Sequence, residues 1–304
     1  MRAIDLFAGA GGFSTGAAMA GAQVVWAANH WPLAVQYHAA NHPGADHVCQ
    51  DLHQANWQQV PKHDLLLASP CCQGHSKARG KANGNPQHDS SRSTAWAVVS
   101  AAEFHRPAAF VVENVPEFLD WTLYPAWQAA LAALGYTMAP HVLDAADHGV
   151  AQNRVRMFLV GTRSKTPLQL NLEREAHVPA TSFVDFAAGK WSEVNREGRA
   201  ASTLARVKNG RSSHGAQFLT AYYGSERGGR SLHRPIGTIT TRDRWAIVNG
   251  DRMRMLSKDE CRKAMGFPES YILPSTHRES VHMLGNAVCP PVAAKVIKAV
   301  MAQI

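Results

Sequence analysis

Four short apolar runs, Ala3–Leu6, Gln23–Ala27, Leu65–Ala68 and Ala109–Glu113, each end in polar or glycine-rich residues. Helical patterning lies around Thr15–Ala20, Pro32–Asn41, Ser93–Phe104 and Pro125–Leu134, and a further strand is predicted over Met157–Gly161. Strand-length runs alternating with helices specify a parallel sheet covered by helices, an α/β fold. In open sheets of this class ligands gather beyond the carboxyl ends of the strands. The residues just past each run are therefore the first candidates for function.

This order fades beyond Arg163. Ser182–Arg244 is rich in Gly, Ser, Arg and aromatic residues and reads as loops and short strands, before helical patterning returns at Ser257–Met265 and Pro291–Met301. Charge divides the chain in the same place. Residues 1–164 hold ten basic and eleven acidic side chains, whereas residues 190–244 hold eleven basic and four acidic, which is +7 of the formal +8. A neutral front half followed by a concentrated basic segment implies a catalytic or cofactor-binding body carrying a polyanion-binding insert. At 304 residues the chain can bury a core without metals or disulfides. Hydrophobic residues at 45% and charged residues at 18% exclude wholesale disorder and collagen-like or coiled-coil architectures.

Five cysteines without CxxC or zinc-finger spacing point to a reducing compartment and to no metal site. The uncharged stretch Leu6–Ala45 is diluted by Gly9, Gly11, Gly12, Gly16 and Gly21, which is too polar for bilayer insertion. A soluble cytoplasmic protein with no membrane partner is expected.

Asp5–Phe13 carries a strand into a glycine turn and then a helix, so that a nucleotide-like ligand can approach backbone amides at a helix start. It is not a dinucleotide fingerprint, because the third glycine of that pattern would fall at Ser14. Asn29-His30-Trp31 and Asp51 follow the next strands. The run Ala68-Ser69-Pro70-Cys71-Cys72-Gln73-Gly74-His75-Ser76 places a thiol beyond a strand, where it suits nucleophilic attack if its pKa is depressed. Glu113 follows three apolar residues and is either a solvent-facing strand end or a carboxylate drawn into a cleft.

Taken in order, these segments resemble the DNA cytosine carbon-5 methyltransferases. DLFAGAGGF at Asp5–Phe13 matches that family's S-adenosylmethionine loop, Pro70–Ser76 its Pro-Cys-Gln nucleophile loop, and Glu113-Asn114-Val115 its Glu-Asn-Val. Gln152–Arg156 matches Gln-x-Arg-x-Arg, Arg252–Tyr271 the late helical region, and Gly285-Asn286-Ala287-Val288 the closing Gly-Asn-x-Val. The resemblance implies a Rossmann-like S-adenosylmethionine-dependent sheet over residues 1–164, completed by 245–304, with a small, mostly irregular or β target-recognition domain at 165–244. It implies methyl transfer to carbon 5 of a cytosine flipped out of duplex DNA. The implied catalytic set is Cys72 as nucleophile with Glu113, Arg154 and Arg156. S-adenosyl-L-methionine would be held by Asp5, Phe7, Gly9, Gly11, Gly12, His30, Trp31, Asp51, Pro70, Asn286 and Val288. Double-stranded DNA would be contacted by Gln73, Ser76, Lys77, Arg79 and Lys81 on the loop after the cysteine, and by Arg206, Lys208, Arg211, Arg227 and Arg230 in the insert. A monomer is expected, with a cognate restriction endonuclease as a possible partner.

Three residues depart from the family pattern. Cys71 replaces the second proline of Pro-Pro-Cys-Gln, His75 replaces an aromatic or apolar residue, and His30 stands where the family places an acidic residue on the cofactor ribose. The rival readings are a transfer-RNA cytosine methyltransferase, against which the missing Cys-Phe-Thr signature counts, and a catalytically silent DNA-binding relative. The motifs do not specify the DNA site recognised.

Overall fold

The computed structural model describes residues 1–71, 94–222 and 227–304. They form two compact units. The first comprises Met1–Asp144, Val155–Glu173 and Ala287–Ile304, and the second Ala145–Arg154 and Arg174–Asn286.

The first unit is a seven-stranded sheet built from β1 (Arg2–Leu6), β2 (Gln23–Asn29), β3 (Asp46–Cys49), β4 (Leu65–Ala68), β5 (Ala109–Asn114), β6 (Thr137–Asp144) and β7 (Val155–Thr162), in the order β3-β2-β1-β4-β5-β7-β6. β1 to β5 are parallel, while β7 runs antiparallel to both β5 and β6. The sequence of β4 is Leu-Leu-Leu-Ala and every residue of β4 and β5 is buried, as a parallel strand covered on both faces requires. The chain runs outward from β1 to β3 and then returns to β4 on the other side of β1. That reversal makes the carboxyl ends of β1 and β4 the switch point where such sheets bind ligands. β6 is an edge strand that the periodicity misses; it contains Pro140, which a central strand would not tolerate.

The helices are α1 (Gly12–Ala20), α2 (Pro32–Asn41), α3 (Trp96–His105) and α4 (Tyr124–Ala133), with α8 (Pro290–Met301) added from the C-terminal end. α1 and α8 touch backbone to backbone. A Cβ at Gly12 would stand 2.1 Å from the Val288 carbonyl oxygen, and one at Gly16 2.5 Å from Ala293 Cβ. Two glycines thus join the first motif of the chain to the last. Beneath the sheet, Phe118, Trp121, Tyr124 and Trp127 pack ring against ring, and the Trp127 indole donates to the Ala95 carbonyl.

The second unit contains a four-stranded antiparallel sheet of β8 (Ser192–Glu193), β9 (Gln217–Ala221), β10 (Trp245–Asn249) and β11 (Arg252–Met255), in the order β8-β11-β10-β9. Its helices are α5 (Ala201–His214), α6 (Lys258–Ala264) and α7 (His277–Gly285). α5 lies inside the region expected to be loops and short strands. Its buried face is only Thr203, Val207 and Gly210, too weak a stripe to register as helical periodicity; a Cβ at Gly210 would stand 2.1 Å from the Phe218 ring. Because β10 and β11 pair with β9 and β8, residues 245–286 pack with the second unit, and only the last 18 residues, Ala287–Ile304, pack with the first. The sequence boundaries at 164 and 244 follow charge and composition, whereas strand pairing sets the compact units. Arg254 and Glu260 form a buried, two-pronged ion pair with both N–O distances 2.7 Å, and the Trp191 ring lies 5.0 Å from the guanidinium. Such a pair fixes geometry more than it adds stability.

Candidate active site

Beyond β1 the chain turns through Phe7, Gly9 and Gly11, which have φ of 62°, 53° and 70°. A left-handed phenylalanine is strained, and such strain clusters at ligand sites. Phe7 and Gly9 are half-buried at the strand end, whereas Asp5, Gly11 and Gly12 are buried. Asp5 points beneath the turn, where its Oδ2 accepts from the Ser14 amide at 3.1 Å and the Ser14 hydroxyl at 2.7 Å. Burial lifts its carboxyl to about 7, the two Ser14 hydrogen bonds opposing that rise. Among the motif-derived residues of this strand and turn, Asp5 supports the turn from below, and Phe7 and Gly9 reach its exposed side.

At the end of β2, Asn29 Oδ1 accepts from the Trp31 amide at 2.9 Å, which turns the chain. His30 is exposed, and its carbonyl accepts from the Cys49 thiol at 3.8 Å. Asp51, exposed beyond β3, caps a single 3₁₀ turn by accepting from the His53 amide at 3.0 Å.

β4 leads through Ser69 into buried Pro70. Asn114, at the end of neighbouring β5, donates from Nδ2 to the Pro70 carbonyl at 3.1 Å, and the Thr94 hydroxyl accepts from the Cys71 amide at 3.2 Å. Two side chains therefore pin the backbone immediately before Cys72. Cys72, Gln73, Ser76, Lys77, Arg79 and Lys81 lie outside the described residues. Glu113, one residue before Asn114, is only 6% exposed; the Arg156 guanidinium of β7 stands 3.2 Å from its Oε1. Of the two arrangements open to it from sequence, Glu113 adopts the one turned away from bulk water.

In the second unit Arg154 is buried, and its guanidinium donates to the Ile239 carbonyl at 3.1 Å and the Gly285 carbonyl at 3.0 Å. Gln152 has no exposed surface; its Oε1 accepts from the Ile239 amide at 2.8 Å and its Nε2 reaches Met265 Sδ, also at 2.8 Å. A Cβ at Gly285 would stand 2.3 Å from the Thr240 backbone. Gln152, Arg154 and Gly285 thus clamp the backbone of 239–240. Asn286 is exposed at the end of α7.

The basic residues of this unit divide by partner. Arg211 donates to the Gly250 carbonyl at 2.6 Å and to Asp251 at 2.8 Å. Arg230 reaches Asn153 at 3.2 Å and the Pro235 carbonyl at 3.3 Å, and lies over the Trp245 ring. Arg206 stands over Tyr222, while Lys208 and Arg227 are exposed. Asn114 and Thr94 are functional candidates that the sequence does not single out by role. Asn114 sits inside Glu-Asn-Val, so its signal is present in the motif; nothing in the spacing marks Thr94.

The profile of the family "C-5 cytosine-specific DNA methylase" matches residues 1–302. Among individual proteins, the Type II methyltransferase M.NlaX of Neisseria lactamica is 28% identical over 305 residues, covering 96% of this chain and 93% of that protein. The Type II methylase M.HgiEI of Herpetosiphon aurantiacus is 38% identical over 173 residues, covering 55% of this chain and 38% of that relative, well under half of its length. Of solved structures, a DNA modification methyltransferase encoded within an E. coli prophage superposes with a TM-score of 0.73 at 20% identity, covering 99% of both chains. S. pombe Dnmt2 methyltransferase gives 0.69 at 16%, covering 99% of this chain and 98% of the other. At these identities the structural likeness establishes the fold.

Proposed function

The chain belongs to the C-5 cytosine-specific DNA methylases, and from that premise we propose that it transfers a methyl group from S-adenosylmethionine to carbon 5 of a cytosine flipped out of duplex DNA. The observation that carries the reading is the shared end of β4 and β5. Glu113 is buried there beside Arg156, and Asn114 tethers the Pro70 carbonyl two residues before Cys72. A base-gripping carboxyl and the approach to a thiol nucleophile leave adjacent parallel strands side by side.

Cytosine carbon 5 becomes nucleophilic only after a group adds at carbon 6. Cys72 attacks carbon 6 as the thiolate, while Glu113 binds the edge of the base at nitrogen 3 and the exocyclic amine, and Arg156 holds Glu113 in place. Arg154, in the second unit, is a proposed positioning residue that clamps the 239–240 backbone of that unit. Loss of the carbon 5 proton and elimination of Cys72 complete the exchange. The base must leave the helix to reach these groups.

The residues present fit the cofactor. The strained turn at Phe7 and Gly9 opens at the switch point, and exposed His30 and Asp51 stand at the ends of the next two strands. Phe7, Gly9, Gly11 and Gly12 would hold it by backbone approach, with His30 and Trp31 toward the ribose, Asp51 toward the base, and Pro70, Asn286 and Val288 beside it. S-adenosylmethionine, when bound, supplies an electrophilic methyl group. Residues 165–244 are the proposed target-recognition element; the Type II names of the relatives support a cognate endonuclease, and the protein is proposed to act as a monomer in the cytoplasm.

Transfer of radiolabelled methyl to duplex DNA, with transfer RNA as the parallel substrate, tests the reading. Label in DNA is expected; label only in transfer RNA, or in neither, overturns it. Bisulfite sequencing of DNA from an expressing host would then identify the site.

A further inference from the structure

A chain of hydrogen bonds runs from beneath the glycine turn to β3. Asp5 Oδ2 and the Ser14 hydroxyl are 2.7 Å apart, the Ser14 hydroxyl and His38 Nε2 2.9 Å, and His38 Nδ1 and His47 Nε2 2.7 Å. His47 also bonds the Ala45 backbone, in the sense that favours its charged form. Asp5 and His38 are almost completely buried, at 0% and 2% exposure, whereas His47 is half-buried. His42 stacks against His38 at 4.6 Å between ring centroids and hydrogen-bonds Thr15 at 3.3 Å. The other groups that act on these atoms are His42 and Asp46, the first disfavouring and the second favouring charge on the imidazoles. Among the described residues no group of three or more His, Cys, Asp or Glu side chains is arranged to hold a metal ion.

Each of the three hydrogen bonds holds one proton, and because burial strongly disfavours a charged His38, the protons take one of the two arrangements that keep His38 neutral. In one, Asp5 is a neutral acid donating to Ser14, whose hydroxyl donates to His38 Nε2, whose Nδ1 proton points at His47. In the other every proton has moved one bond along. The Asp5 proton now sits on Ser14, the former Ser14 proton on His38 Nε2, and the former His38 proton on His47 Nε2. Asp5 is then an anion and His47 a cation; no proton enters or leaves.

We propose that Asp5, Ser14, His38 and His47 form a proton relay, in which His38 and His47 are positioning residues that set the charge of Asp5 beneath the glycine turn. Burial raises the Asp5 carboxyl to about 7 and lowers all three histidines; both shifts favour the neutral arrangement, so the charge-separated one is the minor form that the hydrogen-bond chain makes accessible. The consequence for cofactor binding rests on the reading of Phe7–Gly12 as the cofactor turn; the relay itself does not.

Carbon-13 NMR of the Asp5 carboxyl between pH 5 and 9 tests the relay in the whole protein, using wild type and His47→Gln. Glutamine cannot take the proton, so the midpoint near 7 should rise by about one unit, a shift that loss of packing at the edge strand would not produce. An unmoved midpoint, or ordinary carboxylate titration in wild type, overturns the relay. Nitrogen-15 coupling across His38 and His47 provides a variant-free check: coupling is expected, and its absence overturns the relay. Calorimetry with S-adenosylhomocysteine reads the consequence separately. Affinity should change around pH 7 and that inflection should follow Asp5 upward in His47→Gln. A flat profile with a moving Asp5 overturns the coupling, whereas no binding in wild type overturns the cofactor reading instead.

Discussion

The Arg156 guanidinium stands 3.2 Å from the Glu113 carboxylate, across the antiparallel pairing of β5 and β7. Both side chains are largely buried, at 16% and 8% exposure, so a charge lost from either is felt by the other. Glu113→Gln keeps the shape but removes the charge and the proton-holding capacity. Its single-turnover methyl transfer should fall by about 10² to 10⁴ while DNA binding persists. Arg156→Gln should lower the same rate through misplacement of Glu113. An unchanged rate in Glu113→Gln would return this residue to a structural role.

Two adjacent cysteines make the nucleophile assignment testable by position. Cys72→Ser should abolish methyl transfer, since a hydroxyl is a far poorer nucleophile at neutral pH, whereas Cys71→Ser should retain most activity. The Cys71 amide is already tied to Thr94. DNA carrying 5-fluorocytosine should trap a covalent adduct at Cys72 when cofactor is present, because fluorine cannot leave as a cation. Trapping at Cys71 would shift the motif registration by one residue.

Strands β1, β2, β4 and β5 were legible because most of their residues are buried and so are written as apolar runs, whereas β3, Asp-His-Val-Cys at the sheet edge, has no buried residue and carries no such run. Later elements were also less legible. β6 carries Pro140 and His141 at a sheet edge, and α5 buries only three residues. At the site, Glu113 was legible as a residue type, but its burial depends on β7 arriving antiparallel from later in the chain, with Phe158 and Met157 opposite Glu113 and Asn114. Asp5 was legible as a residue facing the ligand, whereas the fold turns its carboxylate under the loop onto Ser14. That distinction depends on side-chain direction, which spacing does not encode.

Acid should unfold this protein early. Burial holds His38 at about 2, and His42 and His63 at about 4, against 6.5 in an unfolded chain. Between pH 4 and 6.5 the unfolded chain therefore binds up to three more protons at these sites. Asp5 acts in the opposite sense, because its folded carboxyl near 7 keeps a proton that the unfolded chain releases above 3.8. The balance is an uptake of about two protons on unfolding near pH 5, so stability present above pH 6.5 is lost as pH falls. Urea midpoints at pH 5, 6 and 7 would show it; a higher midpoint at pH 5 would mean that these histidines are protonated in the folded state.

His30 is exposed at the end of β2, where a carboxylate would accept from both ribose hydroxyls and an imidazole offers one acceptor at most. His30→Glu should tighten S-adenosylmethionine about tenfold, equivalent to about 1.4 kcal/mol. Calorimetric titration with the cofactor and its demethylated product decides it. Equal or weaker binding by the glutamate variant would remove position 30 from the cofactor set and leave the catalytic assignment intact.

The basic residues of the second unit should not contribute equally to DNA binding. Removing a side chain that neutralises one phosphate reduces the slope of log affinity against log salt by about one. A guanidinium already committed to protein acceptors has less to offer a phosphate. Arg230 is held by Asn153, Pro235 and the Trp245 ring, and Arg211 by Asp251 and Gly250, whereas Lys208 is exposed on α5. Lys208→Gln should therefore lower the salt slope by about one with little effect on thermal stability. Arg230→Gln should do the reverse, lowering the unfolding temperature while leaving the slope nearly unchanged. Fluorescence anisotropy with duplex DNA across a salt series, paired with thermal denaturation of each variant, separates the two outcomes. Equal reductions in slope at Lys208 and Arg230 would show that the internal hydrogen bonds of Arg230 give way when DNA binds.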